Sequence, residues 1–386
     1  MSVKLKKLMT IGAATYLIGV MGCAVNTEVK NSDYYLRCNK TSNGIMAEME
    51  EGYFLVSEGI LFYADKKNLE QWVPVCNKPN CMHNDYTCNG YLPSYNTIWQ
   101  KDGKLYEITY GDVIENPYIF EIATDGSGLK KVYEIPIKDG VNSSGYGKAT
   151  FQNEFLLRYG YLNESGIYQN HIIHLEDNKN SEVNIDTIHE NIGERATFIL
   201  SGNLYWSIRG DNLIVTTLFL EEGDVALNNL CRIDGKEIEP LNLPKDISFY
   251  GGYLSGDIFT YYQSQEGFYQ YNISTGETEL IFENQLEDGQ GYILSDNCMV
   301  ECNRYIDYMP EEAYLKVYNG KEWIDLELPE EITNCDNPFF PVCITSDSIF
   351  FRMNITGDDY STTTYLYYTM LEEANPELVF AGKIGN

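Results

Sequence analysis

Residues 76–88 carry the densest group of ligating and nucleophilic side chains in the chain: Cys76-Asn77-Lys78-Pro79-Asn80-Cys81-Met82-His83-Asn84-Asp85-Tyr86-Thr87-Cys88. The spacing is Cys-x4-Cys-x-His-x4-Cys. Three thiols and one imidazole are the donor set of a tetrahedral Zn²⁺ site, and Pro79-Asn80 supplies a turn that brings Cys76 back toward Cys81. A closed site with Cys76, Cys81, His83 and Cys88 as ligands is structural, because no coordination position is left for a substrate. The same residues fit a disulfide-stapled loop with His83 as an ordinary surface residue. That alternative leaves one of the three cysteines to pair elsewhere or stay a thiol. A third reading is a redox or catalytic thiol, which needs an exposed thiolate of depressed pKa. The spacing matches none of the common zinc-finger patterns, and all three readings stay open.

Other reactive residues are more scattered. Cys298 and Cys302 stand four apart on one predicted strand, about 13 Å between Cα atoms, too far to bridge each other. Cys298 takes a packing position, so a buried thiol is expected there. Cys335 and Cys343 flank Asn337-Pro338-Phe339-Phe340-Pro341 and could close that loop, while Cys38 and Cys231 have no readable partner. His171 and His174 fall on opposite faces of a strand and make poor co-ligands. His189 is solitary, and Arg209-Gly210-Asp211 is a tripeptide short enough to arise by chance. There is no Gly-x-Ser-x-Gly, P-loop or His-Glu-x-x-His, so no catalytic residue is assigned.

The elements that must position the cysteine segment are strands. With 32 Tyr, 16 Phe, 4 Trp and 32 Gly, the composition is that of an all-β protein with many turns. One phrase recurs, a turn residue, any residue, then two apolar residues. It reads Gly59-Ile60-Leu61-Phe62, Gly103-Lys104-Leu105-Tyr106, Asn153-Glu154-Phe155-Leu156, Gly202-Asn203-Leu204-Tyr205, Gly256-Asp257-Ile258-Phe259, Asp296-Asn297-Cys298-Met299 and Asp347-Ser348-Ile349-Phe350. Gaps of 44, 50, 49, 54, 40 and 51 residues separate the copies. Each copy reads as the tip of a hairpin. A second hairpin follows in each unit, as in Tyr118–Ile122 returning through Lys131–Tyr133, Phe268–Ile273 through Glu279–Phe282, and Tyr314–Tyr318 through Trp323–Leu326.

Four strands in 40 to 54 residues is the size of a propeller blade. The spacing predicts a seven-bladed β-propeller of four-stranded antiparallel blades over residues 49–386, with two stacked β-sandwiches as the alternative. Only Glu311–Tyr314 and Leu371–Ala374 suggest a turn of helix. The phrase and the turn Asp125-Gly126-Ser127-Gly128 resemble TolB-type and YWTD-type propeller repeats. From about residue 50 to 383 the chain also resembles a group of β-propeller lipoproteins of Gram-positive bacteria, in which a segment like Cys76–Cys88 recurs after the first hairpin. The resemblance implies architecture and an extracellular location, and brings no reaction with it.

The N-terminus agrees with that location. Lys4, Lys6 and Lys7 precede an uncharged apolar stretch, Leu8–Val20, that is too short to span a bilayer. It ends in Val20-Met21-Gly22-Cys23, which resembles the bacterial lipobox. Residues 1–22 are therefore expected to be a lipoprotein signal peptide, Cys23 the lipidated N-terminus, and 23–48 a short tether. Acyl chains such as palmitate on Cys23 anchor a protein stably without a spanning helix. The membrane is thus an expected partner and the outer face of the cell membrane the expected location.

Charge narrows the other partners. The chain holds 27 basic and 57 acidic residues; losing residues 1–22 removes three lysines and no acid, leaving 24 against 57 and a net charge of −33. So acidic a body repels nucleic acid. No EF-hand-like loop turns its carboxylates into a calcium site. The function expected is a binding or interaction module for a glycan, peptide or protein, its loop aromatics supplying large rigid contacts. Two rivals stand beside it. One is a surface-tethered carbohydrate-active hydrolase or lyase, which needs two carboxylates about 5 to 10 Å apart. The other is a metal or redox accessory protein using Cys76–Cys88.

Overall fold

The computed structural model describes residues 45–92, 97–101, 103–109, 118–134, 147–151, 154–162, 168–176, 179–182, 204–209, 213–219, 225–234, 237–241, 252–263, 266–283, 290–295, 298–303, 313–333, 337, 339–345, 347–357, 362–371 and 376–384. The expected signal peptide, Cys23, Cys38, His189 and Cys335 lie outside them. Within them the chain is almost entirely strand. Seven four-stranded antiparallel sheets are present, and in each the strands lie side by side in chain order.

Sheet 1 comprises Met46–Glu48, Gly52–Ser57, Ile60–Asp65 and Val73–Pro74. Sheet 2 comprises Thr97–Lys101, Lys104–Thr109, Tyr118–Ala123 and Gly128–Glu134. Sheet 3 begins at Gly147 and ends at Glu182; sheet 4 runs from Leu204 to Leu241. Sheets 5, 6 and 7 start at Gly252, Gln290 and Phe339 and end at Glu283, Leu326 and Ile384. The first strands touch one another from sheet 3 through sheet 7, and the first strand of sheet 1 touches those of sheets 2 and 7. The architecture is a β-propeller, with first strands innermost and fourth strands at the rim.

In sheet 4 the residues Leu204-Tyr205 of the recurring phrase open the first strand and do not follow it; in sheet 1 the phrase marks the tip between the second and third strands, and in the other five sheets the tip between the first and second. Gly59, Gly103 and Gly256 hold φ of +76°, +71° and +57° there, a region that glycine enters without a Cβ clash. The later hairpins also fall where the pattern put them, at Tyr118–Ala123 with Gly128–Glu134, Gly267–Asn272 with Thr278–Glu283, and Leu315–Tyr318 with Trp323–Leu326. Two details differ. Met46–Glu48, assigned to the tether, form the innermost strand of sheet 1, so the folded body starts ahead of the boundary at 49. Tyr314 and Leu371 are not helical, and the one helical turn among the described residues is Glu330–Thr333, which buries Ile332.

Strand Gly52–Ser57 shows how the sheets are held. All six residues are buried. Side chains alternate: Tyr53 and Leu55 pack with Val342, Phe350 and Leu366 of sheet 7, while Phe54 and Val56 pack with Ile98, Leu105 and Ile122 of sheet 2. A sheet covered on both faces needs apolar residues on both, and for that reason the inner strands lack an apolar–polar alternation. Each such aliphatic side chain contributes roughly 1.5–3 kcal/mol by leaving water.

Candidate metal centre

The cysteine segment lies in the connection between the rim of sheet 1 and the innermost strand of sheet 2. Its ends are tied to the hairpin tip at Gly59. Val75 N donates to Leu61 O at 2.8 Å, Leu61 N to Gly90 O at 2.8 Å and Leu92 N to Gly59 O at 2.8 Å. Between these ties the segment turns tightly on itself. Asp85 Oδ1 accepts from Thr87 N at 2.8 Å and from Thr87 Oγ1 at 2.6 Å, and Cys88 N donates to Asp85 O at 3.0 Å. Lys78 Nζ donates to Thr87 O across the loop. Asn80 and His83 have φ of +59° and +54°, left-handed conformations that side chains seldom adopt and that cluster where a site over-determines the backbone.

These turns bring the four sequence-predicted ligands together. The donor atoms of Cys76, Cys81, His83 and Cys88 all lie within 4.8 Å of one another, and His83 Nδ1 stands 3.4 Å from Cys88 Sγ. Cys88 is buried and the other three half-buried. The three cysteines are thiols, with no disulfide among them. Zinc–sulfur bonds of about 2.3 Å in a tetrahedron put sulfurs about 3.8 Å apart, so the observed set needs at most about 1 Å of contraction to close on an ion. The residues present fit a metal.

The backbone is arranged to carry negative charge on sulfur. Gly90 N donates to Cys88 Sγ at 3.3 Å, and the N–H groups of Lys78 and Asn89 point at Cys76. Burial opposes ionisation of Cys76, yet those N–H groups and the Cys88 and Cys81 thiols outweigh it and bring its pKa down to about 7. Cys88 moves the other way. Burial pushes it up to about 12, with Gly90 N–H partly offsetting and the neighbouring Cys76 and Cys81 adding to the rise. Cys76 thus ionises readily while Cys88 resists, first because it is buried and then because it faces the other sulfurs. A central cation removes the repulsion between the sulfurs.

A feature with no sequence signal lies beside the ligands. Asn89 Nδ2 donates to Gly126 O at 2.9 Å and to Asn77 Oδ1 at 3.0 Å, and Asn77 N donates to the same Gly126 O at 3.1 Å. Gly126 belongs to the tip of the outer hairpin of sheet 2. The turn itself was legible as Asp-Gly-Ser-Gly; its contact with the cysteine loop was not.

The other candidates do not assemble into a site among the described residues. Cys298 and Cys302 are buried on one strand. Cys343 is buried, its Sγ 3.4 Å from Ile344 O. For His171, His174 and Cys231 the backbone alone is described, in Tyr168–Glu176 and Val225–Asp234. Arg209 ends strand Leu204–Arg209, and the rest of its tripeptide lies outside the described residues.

Solved structures share the fold. The post-proline cleaving enzyme from Rickettsia typhi is similar with a TM-score of 0.51 at 9% identity, over 89% of this chain and 53% of that one. The acylaminoacyl peptidase of Pyrococcus horikoshii gives a TM-score of 0.43 at 13% identity, over 82% of this chain and 48% of that one. The WD40 domain of SCAP from fission yeast gives 0.37 at 10% identity, over 89% and 86%. The chain spans about half the length of the two peptidases. At such identities the likeness concerns the fold alone. No protein-family model and no curated protein matches the sequence.

Proposed function

We propose that this protein is a lipid-anchored β-propeller acting outside the cell as a binding module for a glycan, peptide or protein, with its Cys76–Cys88 loop closed by a structural zinc ion. The leader ending at Cys23 supports the anchor. The observation that carries the module reading is where the cysteine cluster sits. It lies against the outer hairpin of sheet 2, with four donors facing one another. A set closed on itself at the rim fastens a scaffold. The propeller faces are then left for recognition.

The test has two arms. The full chain is produced in a Gram-positive host with a palmitate analogue and exposed to protease on intact cells. Label on the parent chain but not on Cys23→Ala, with cleavage from outside, is expected; unlabelled or protected protein overturns the anchor. The chain extracted from those membranes is then assayed for metal and applied to glycan and peptide arrays. About one equivalent of zinc, lost in His83→Ala or Cys88→Ser, together with saturable array binding that survives those changes, is expected. Saturable binding abolished with the zinc would place the cluster in the ligand site and overturn the scaffold role.

A further inference from the structure

Sheet 1 is truncated at its rim. Its fourth strand, Val73–Pro74, has two residues, whereas those of sheets 2 to 7 have between four and seven. The third strand, Ile60–Asp65, therefore loses its outer partner over its first half; only Phe62 and Tyr63 pair with the short fourth strand. The cysteine loop takes that place. Leu61 N and O bond to Gly90 O and Val75 N, and Ile60 forms an isolated bridge with Tyr91. An open strand edge is thus covered by an irregular segment. A long connection without strands or helices is entropically expensive to hold in one shape, and a metal crosslink supplies that hold.

The loop also faces sheet 2 where that sheet has little apolar surface to offer. Strand Gly128–Glu134 has no fully buried residue, and Val132 is exposed. The apolar seam between sheets 1 and 2 runs from Phe54, Val56 and Ile98 outward through Leu105 and Ile122 to Val75 and Leu129. At the rim it rests on Gly126. A Cβ at Gly126 would stand 2.8 Å from Asn77 N and 3.0 Å from Cys76 Cα, both backbone, so the hairpin tip and the first ligand are in contact with no slack. Gly126 O collects the N–H of Asn77 and the Asn89 amide, and both residues are next to ligands.

From this juxtaposition we infer that the metal site is a clasp between blades: the ion that closes Cys76, Cys81, His83 and Cys88 also fixes the rim of sheet 2 to the truncated rim of sheet 1, through Asn77, Asn89 and Gly126. The inference rests on the zinc reading above and extends it from a local loop staple to an inter-blade fastening. Coupling of this kind is reciprocal: if the ion orders the hairpin, the hairpin raises affinity for the ion.

The experiment is hydrogen exchange on the full chain in detergent, with Zn²⁺ or after chelation under reducing conditions, beside competition titrations of Zn²⁺. With the clasp, chelation speeds exchange in 118–134 as well as in 76–92. Asn89→Ala keeps every ligand and the Asn89 N–H while removing the seam bond, and it weakens zinc binding about fivefold, the scale of one net hydrogen bond. Gly126→Ala weakens it further; should that variant fail to fold, Asn89→Ala still decides. Exchange changes confined to 76–92, with unchanged affinity in Asn89→Ala, overturn the clasp and leave the zinc site standing. A reduced protein that takes up no added Zn²⁺ overturns both.

Discussion

The indole N–H of Trp72 donates to the carbonyl of Ala381 at 2.8 Å, joining residues 309 apart in sequence. It is a polar tie where the ring closes. Sheet 1 is built only from N-terminal strands and sheet 7 only from C-terminal ones, so no shared strand crosses the junction. Closure rests on Met46, Tyr53 and Leu55 packed against Val342, Phe350 and Leu366, and on Ser57 Oγ meeting Thr364 Oγ1 at 3.2 Å. Trp72→Phe keeps most of the ring contact and removes the bond. A loss of about 1–2 kcal/mol in urea unfolding is expected, the range for a half-buried carbonyl left without its donor. A variant as stable as the parent would show that packing alone closes the ring.

The seam between sheets 5 and 6 depends on a missing side chain. Gly291, buried in strand Gln290–Ser295, has no room for a Cβ: one would lie 2.6 Å from Phe268 Cζ and 2.9 Å from Tyr262 Cδ2. Both rings are buried and pack with Ile293 and Met299, so neither can swing aside freely. Gly291→Ala is expected to destabilise by about 1–3 kcal/mol, as overpacking does. Adding Phe268→Leu should cost less in that background than in the parent, because the new methyl then has space. Additive losses in a double-mutant cycle would refute the steric account.

What the sequence made legible follows from local rules. Hairpin tips were readable because a tight turn needs a residue tolerant of positive φ, as Gly59, Gly103 and Gly256 show. The convergence of Cys76, Cys81, His83 and Cys88 was readable from spacing, since the whole set lies in one loop. Strand Met46–Glu48 was not: three residues carry no periodicity, and their burial comes from contacts with sheets 2 and 7. The helical turn at Glu330–Thr333 is likewise too short to show a pattern. The Asn89–Gly126 contact spans 37 residues between two ordinary turn formers, and nothing local distinguishes it.

Glu301 makes a pH prediction. It lies in the all-buried strand Cys298–Cys302, and its Oε1 accepts from Tyr314 OH at 3.4 Å. Burial raises its pKa from 4.5 to about 7, with Lys316 and the Tyr314 hydroxyl partly opposing; burial and Glu301 together raise Tyr314 as well. Below about pH 4.5 the carboxyl is protonated whether the chain is folded or not, and burial is tolerated. Between about 4.5 and 7 the folded state keeps a proton that the unfolded state has lost, so this group makes stability fall as pH rises. Above 7 the penalty is complete, at about 3 kcal/mol. Glu301→Gln has nearly the same shape and no titration. Its stability relative to the parent should therefore climb by up to about 3 kcal/mol from pH 4.5 to 8, other groups cancelling in the difference. Urea midpoints that run parallel across that range would mean that Glu301 is solvated or paired as an anion in the folded protein.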